Sequence, residues 1–268
     1  MTVEKEERDD DMKNRIKKVV KGLLGRVGVF VMEIPASGIY AESGMATIHN
    51  TACIKEHRFQ AAYKRGTEAA GVDYGIRWKT HIACWAASQA ALAEKGDFVE
   101  CGVNRGFMSS VIMTYLDWNK LDRDFYLVDT FNGIYEEILS AEEKAAGYIK
   151  NNRKALAQGD YVNDVENVRK NFEEWPRARV VQGFVPEVLK DIPATSVAFV
   201  HLDMNNVTPE KAAAEYFWPL MAKGGIMLLD DYAFVGYDLS RKGMDDFAKT
   251  VGMEILSMPT GQGILIKN

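Results

Sequence analysis

Gly96-Asp97-Phe98-Val99-Glu100-Cys101-Gly102-Val103-Asn104-Arg105-Gly106 sets the architecture. Its apolar run, 98–101, stops at Gly102, and a polar turn leads on to Gly106. A short apolar run closed by glycine reads as a strand, and residues 106–118 read as the helix that follows it. The glycines of the turn are spaced G-x-x-x-G, not G-x-G-x-x-G. A dinucleotide pyrophosphate needs the second glycine of that longer fingerprint. The loop therefore suits a smaller, cationic cofactor better.

Outward from this stretch, strands and helices alternate. Strands are expected at 125–129, 179–183, 197–203 and 225–230. Helices are expected at 161–175, 186–190, 209–221 and 240–251. Residues 253–258 and 263–267 read as two strands around the turn Pro259-Thr260-Gly261-Gln262. Alternation of this kind gives βαβ units and a parallel sheet, closed here by an antiparallel C-terminal hairpin. The fold class is α/β, Rossmann-like. Upstream, 55–70 and 77–94 read as helices. Residues 12–25 read as a basic amphipathic helix, with Met12, Ile16, Val19, Val20, Leu23 and Leu24 at helical spacing among lysines and arginines. That helix docks on the domain, a second copy or a membrane surface. The charge run 1–11 reads as disordered, and 27–50 carry no clear pattern. The expected division is an N-terminal extension, 1–54, and a catalytic domain, 55–268.

Composition narrows the function class. The chain has 268 residues, 47% hydrophobic and 26% charged, which suits a soluble enzyme of one large domain. A net charge of −5 excludes a general nucleic-acid binder. Cys53, Cys84 and Cys101 form no Cys-x-x-Cys pair, and the four histidines form no His-Glu-x-x-His. The N-terminus lacks the order of a signal peptide, and no apolar run approaches the roughly 20 residues of a membrane span. A cytoplasmic location is expected.

In an open α/β sheet the ligand binds outside the carboxyl ends of the strands. Those ends carry Glu100-Cys101-Gly102, Asp129, Gln182-Gly183, Asp203 and Asp230-Asp231. Glu100 can position an amino acid moiety or its ammonium. Asp129 can accept both hydroxyls of a ribose. Arg105 either binds a carboxylate or caps the sheet edge, and Phe131 either packs on adenine or belongs to the core. The Gln182 amide can meet an adenine edge. Asp203, Asp230 and Asp231 should lie on neighbouring strands, where three carboxylates repel unless a cation sits among them. Oxygen ligands alone suit Mg²⁺. The plainer reading makes Asp230 a helix cap and Asp231 solvated. His201 reads as a satisfied core histidine before it reads as a base.

These residues resemble the macrocin O-methyltransferase family of class I methyltransferases (the TylF type). The resemblance runs through Gly96 to Val103 with Arg105-Gly106, then Val128-Asp129-Thr130-Phe131-Asn132-Gly133. It continues through Val168-Arg169, Asn171-Phe172, Val181-Gln182-Gly183-Phe184-Val185-Pro186-Glu187, His201-Leu202-Asp203, Trp218-Pro219-Leu220, Gly224-Gly225 and Asp230-Asp231-Tyr232. It covers about residues 55–268. It implies a seven-stranded sheet, S-adenosylmethionine as cofactor, and methylation of sugar hydroxyls in natural-product biosynthesis. It also implies Mg²⁺ at Asp203, Asp230 and Asp231, with Asp203 as general base, and a homodimer or higher homo-oligomer. The candidate cofactor residues are Glu100, Cys101, Gly102, Val103, Arg105, Ser109, Asp129, Thr130, Phe131, Gln182, Gly183 and Phe184. The chain departs from the family at Asn104, where tryptophan is frequent, and at Asn205, where an acid is common. The acceptor is therefore expected only as a sugar or other diol-bearing small molecule. The stretch 133–160, with Gly133, Gly147 and Gly159, is expected to act as a lid. A catechol methyltransferase, an NAD-dependent dehydrogenase and a non-catalytic binding module are the competing readings.

Overall fold

A computed structural model describes residues 3–28 and 38–268. The chain divides into two units, one containing α1 (Val3–Arg26), the other formed by residues 41–45 and 51–268. α1 begins in the charge run expected to be disordered. Acids outnumber bases in the sequence of its N-terminal half and bases fill the charged positions of its C-terminal half, with Arg26 in the last turn, where a cation complements the helix dipole. Of residues 27–50, 29–37 lie outside the described residues, and two three-residue strands follow, β1 (Tyr40–Glu42) and β2 (Met45–Thr47).

The larger unit starts with α2 (His57–Ala70) and α3 (Arg77–Ala90). Then come β3 (Asp97–Cys101), α4 (Phe107–Leu116) and β4 (Phe125–Asp129). The stretch after β4, read as polar and mixed, holds α5 (Ala141–Ala145) and α6 (Tyr148–Gln158). α7 (Val165–Asn171), β5 (Ala178–Gln182), β6 (Val197–Leu202), α8 (Val207–Phe217) and β7 (Met221–Leu229) continue the alternation. α9 (Asp238–Thr250), β8 (Leu256–Ser257) and β9 (Gly263–Ile266) close it.

One seven-stranded sheet results, in the order β5-β4-β3-β6-β7-β9-β8. Its first five strands are parallel, and β9 runs antiparallel to both β7 and β8. β6 is buried along its whole length and β3 nearly so, as strands covered on both faces must be. Alternation divides the core. Val99, Cys101, Val200, Leu202, Met227 and Leu229 join Phe217, Met244 and Phe247 of α8 and α9. On the opposite face Phe98 meets Trp118, Phe125 and Phe199 at ring-centroid distances of 5.0, 5.7 and 5.1 Å.

The topology creates the crevice. From β3 the chain moves outward to β4 and β5, then crosses back to place β6 beside β3. Strand order reverses there, and the carboxyl ends of β3 and β6 open a gap where a ligand can enter.

Candidate functional site

A cleft of about 270 Å³ occupies that gap. Its lining includes Glu100, Gly102, Val103, Arg105, Asp129, Thr130, Gly183, Phe184, Asp203 and Asp230 of the residues expected from sequence. Cys101, Ser109, Phe131, Gln182 and Asp231 are not among the lining residues. Cys101 points into the core by strand alternation, and Ser109 and Phe131 are likewise buried. Gln182 is exposed, its amide donating to the Thr130 carbonyl at 3.4 Å. Asp231 is buried one residue beyond Asp230, beside Lys79.

Gly102 fixes the floor. Its φ is +96°, and a Cβ there would overlap the carbonyl oxygen of Asp203. The Asp203 amide donates to the Cys101 carbonyl at 2.9 Å, so the ends of β3 and β6 meet backbone to backbone. Only glycine permits that approach.

Asp129 is held by the loop it faces. Its Oδ2 accepts from the Asn104 amide and its Oδ1 from the Phe131 amide, both at 2.7 Å. Burial pushes its carboxyl up and those bonds pull it back in part. Arg105 spends donors on structure, with Nη1 on the Ala70 carbonyl at 3.3 Å and Nη2 on the Gly159 carbonyl at 2.7 Å. It thus ties the C-terminal ends of α2 and α6, whose last carbonyls lack intrahelical partners. Across the cleft, Tyr135 and Phe184 stack at 4.1 Å with an interplanar angle of 21°.

The strand register makes Glu100 and His201 direct neighbours. His201 is fully buried, its Nδ1 2.8 Å from Glu100 Oε1 and its Nε2 3.5 Å from Asp230 Oδ1. The second distance exceeds that of an ordinary hydrogen bond. Burial alone would lower the imidazole, but Asp230 and Glu100 outweigh it and push it up to about 10. Among the described residues, Glu100 Oε2 has no hydrogen-bond partner, although it is buried at the cleft wall. An orphaned carboxylate oxygen facing a cleft is an acceptor waiting for a donor.

The three acids expected at the ends of β6 and β7 come together as predicted, but with a cation of the chain's own. Lys79 Nζ lies 2.6 Å from Asp230 Oδ2 and 3.2 Å from Asp231 Oδ1. Gln262 Nε2 donates to Asp230 Oδ1 at 3.1 Å. Both oxygens of Asp230 therefore already face nitrogen. Burial would raise Asp230, yet Lys79 and His201 overcome it and hold it well below the carboxylate range. Among the described residues no side-chain cation contacts Asp203, and burial with the charges of Asp230 and Asp231 pushes it well up against the weaker pull of His201 and Lys79. Nearby, burial and Asp231 push Glu210 up to about 8, while its Oε1 accepts from the Met204 amide. Sequence reading missed Lys79, seeing only a plain helix over 77–94. The available signal was a cation in the first turn of a helix, where the dipole disfavours it. Gln262 was read only as part of a turn, and Tyr74 and Tyr161, also in the cleft lining, were not singled out.

The family model described as macrocin-O-methyltransferase (TylF) matches residues 54–255. The chain belongs to that family. It is 28% identical over 178 residues to the 8-demethyl-8-(2,3-dimethoxy-alpha-L-rhamnosyl)-tetracenomycin-C 4'-O-methyltransferase of Streptomyces olivaceus. That match covers 63% of this chain and 64% of the Streptomyces enzyme, a little under two thirds of its length. Among solved structures, the O-methyltransferase NovP superposes with a TM-score of 0.63 at 18% identity, over 81% of this chain and 97% of NovP. CalS11, a calicheamicin methyltransferase, gives 0.51 at 17% identity, over 79% of this chain and 93% of its own. These structures share this chain's fold. Among the described residues no helix is long and apolar enough to cross a membrane.

Proposed function

We propose that the chain transfers the methyl group of S-adenosylmethionine to a hydroxyl of a sugar or another diol-bearing small molecule. The observation that supports this most is the switch-point cleft, which gathers Glu100, Asp129 and Asp203 from three strand ends. In this reading the orphaned Glu100 Oε2 takes the cofactor's ammonium. Asp129, fixed by two amides, takes the ribose hydroxyls, and the stacked pair Tyr135 and Phe184 offers an outer face to the adenine. Family membership supports the cofactor, and the rhamnosyl group in the name of the Streptomyces relative supports a sugar acceptor. Residues 133–160 cover the bound cofactor, since Gly133, Ile134, Tyr135 and Ile138 already line the cleft. Within the N-terminal extension, 1–54, helix α1 carries self-association. Its exposed stripe Met12, Ile16, Val19 and Leu23 has the spacing of a helix-pairing seam.

The steps are those of a direct displacement. Asp203 takes the proton of the acceptor hydroxyl. The oxygen lone pair forms a bond to the methyl carbon while the carbon–sulfur bond breaks, and its electrons return to sulfur. A cationic sulfonium becomes a neutral thioether. Alignment of oxygen, carbon and sulfur is the protein's main contribution. A carboxylate held above its ordinary range is the better base for this task.

A divalent ion at Asp203, Asp230 and Asp231 is the second reading. It draws on one observation, that Asp203 and Asp230 offer atoms within 4.8 Å of each other, although His201 and not Asp231 completes that group of three. Such an ion, when bound, supplies Lewis acidity to the acceptor hydroxyl. The residues fit it poorly, because Lys79 stands against both Asp230 and Asp231.

Calorimetric titration with S-adenosylmethionine and S-adenosylhomocysteine, with NAD as control, tests the cofactor. Binding of the sulfur compounds but not NAD supports the reading and opens a screen of sugars and catechols. Folded protein that binds neither sinks it.

A further inference from the structure

The cation that the acidic cluster requires is already present. Lys79 belongs to the first turn of α3, far in sequence from the acids it meets, and is 6% exposed. A lysine is almost never buried unless paired. Here the ammonium reaches Asp230 and Asp231 and lies 5.0 Å from the ring centroid of Phe234. Its backbone is anchored as firmly as its head. The amides of Trp78 and Lys79 donate to the two carboxylate oxygens of Glu42, each at 2.8 Å. A cation at a helix N-terminus opposes the dipole, so the position is favoured only because carboxylates surround it.

That geometry leaves no place for a bridging divalent ion. Mg²⁺ would need oxygens at about 2.1 Å in octahedral array. The space between Asp230 Oδ2 and Asp231 Oδ1 holds Nζ, and Asp230 Oδ1 faces Gln262 and His201. An ion at Asp203, Asp230 and Asp231 would have to expel the ammonium into a buried setting without a partner.

We infer that Lys79 is the resident cation of this cluster. It holds Asp230 and Asp231 in place, leaves Asp203 free toward the cleft, and makes the chain independent of a divalent metal at these three residues. Lys79 is thus a positioning residue, acting through the carboxylates. The part of this inference that concerns turnover rests on the methyl-transfer reading. The part that concerns metal does not.

Manganese binding tests it without any acceptor. The full-length protein, stripped with EDTA and desalted, is titrated with Mn²⁺ to about 1 mM, the weak end of carboxylate sites, while electron paramagnetic resonance follows the free aquo ion. The wild type should leave the signal undiminished. Lys79→Met, which frees the acids, should remove one equivalent, and adding Asp230→Asn should abolish that binding. One equivalent bound tightly by the wild type, unaffected by Lys79→Met, overturns the inference even if the variant proves hard to fold. In a turnover assay, EDTA should change the wild-type rate less than twofold. Lys79→Met should lose about 100-fold, as when one preorganised electrostatic group is removed, and regain part of it with millimolar Mg²⁺. Loss of wild-type turnover in EDTA with recovery in Mg²⁺ overturns it too. Failure of S-adenosylhomocysteine to bind would instead remove the methyl-transfer reading and leave the manganese result standing.

Discussion

A side chain at position 102 would collide with the backbone of Asp203. Gly102→Ala should therefore cost at least ~1–3 kcal/mol from its left-handed φ alone, and more from the collision. Urea unfolding and S-adenosylhomocysteine titration should both register the loss. Asp203→Asn tests the base. Turnover should fall by about 10²–10⁴-fold while S-adenosylhomocysteine affinity changes little, since the amide keeps the shape but takes no proton. Equal turnover in the variant would remove Asp203 from the mechanism. His201 gives a pH signature. Its folded-state value, about 10, lies above the ordinary 6.5, so the native state holds that proton more tightly than the unfolded chain does. The resulting stability is complete below about pH 6.5 and lost as pH rises toward about 10. Urea midpoints of the wild type should drop across that window more steeply than those of His201→Gln. Parallel slopes would show that the imidazole is neutral. At this scale the acids were legible because each ends an apolar run, a purely local pattern. Lys79 was not, because its partners stand some 150 positions downstream.

Elements carry the next level of control. α3 begins without an acidic residue in its first turn or a side-chain cap of its own, and a distant carboxylate, Glu42, serves its amides. Glu42→Ala should destabilise the protein by about 1 kcal/mol, the usual worth of a lost cap. It should also weaken the hold on Lys79, which thermal melts together with the manganese titration would read. In the sheet, Phe199 is fully buried between Phe98 and its neighbours. Phe199→Ala should cost roughly 3–5 kcal/mol by chemical denaturation. Strands were readable because apolar runs bounded by glycine and acids leave little choice of structure. α5 was missed although its signal is written in the chain. Ser140 and Glu143 form a capping box, but the surrounding residues are polar and hid the periodicity. Glu143 then takes the Thr208 hydroxyl as well, joining that helix to α8, a contact no local pattern announces.

At the scale of the molecule, the cleft-lining residues run from Tyr74 to Asp230 and all lie in the larger unit. A chain beginning at residue 38 should bind S-adenosylhomocysteine within about threefold of the full chain, well under the tenfold that 1.4 kcal/mol represents. Sedimentation of the two forms should show the shorter one less associated. Weakened cofactor binding would place the N-terminal segment in the site. The sequence alone determined the α/β alternation, the strand ends that carry acids, and the family, because these depend on short-range patterning and on motifs in fixed order. The strand order, and with it the gap between β3 and β6, agrees with that patterning. Only the tertiary structure decided what stands beside the acids. Which charge neutralises Asp230 and Asp231 depends on where α3 packs, and packing is set by the whole core, not by the residues that flank Lys79.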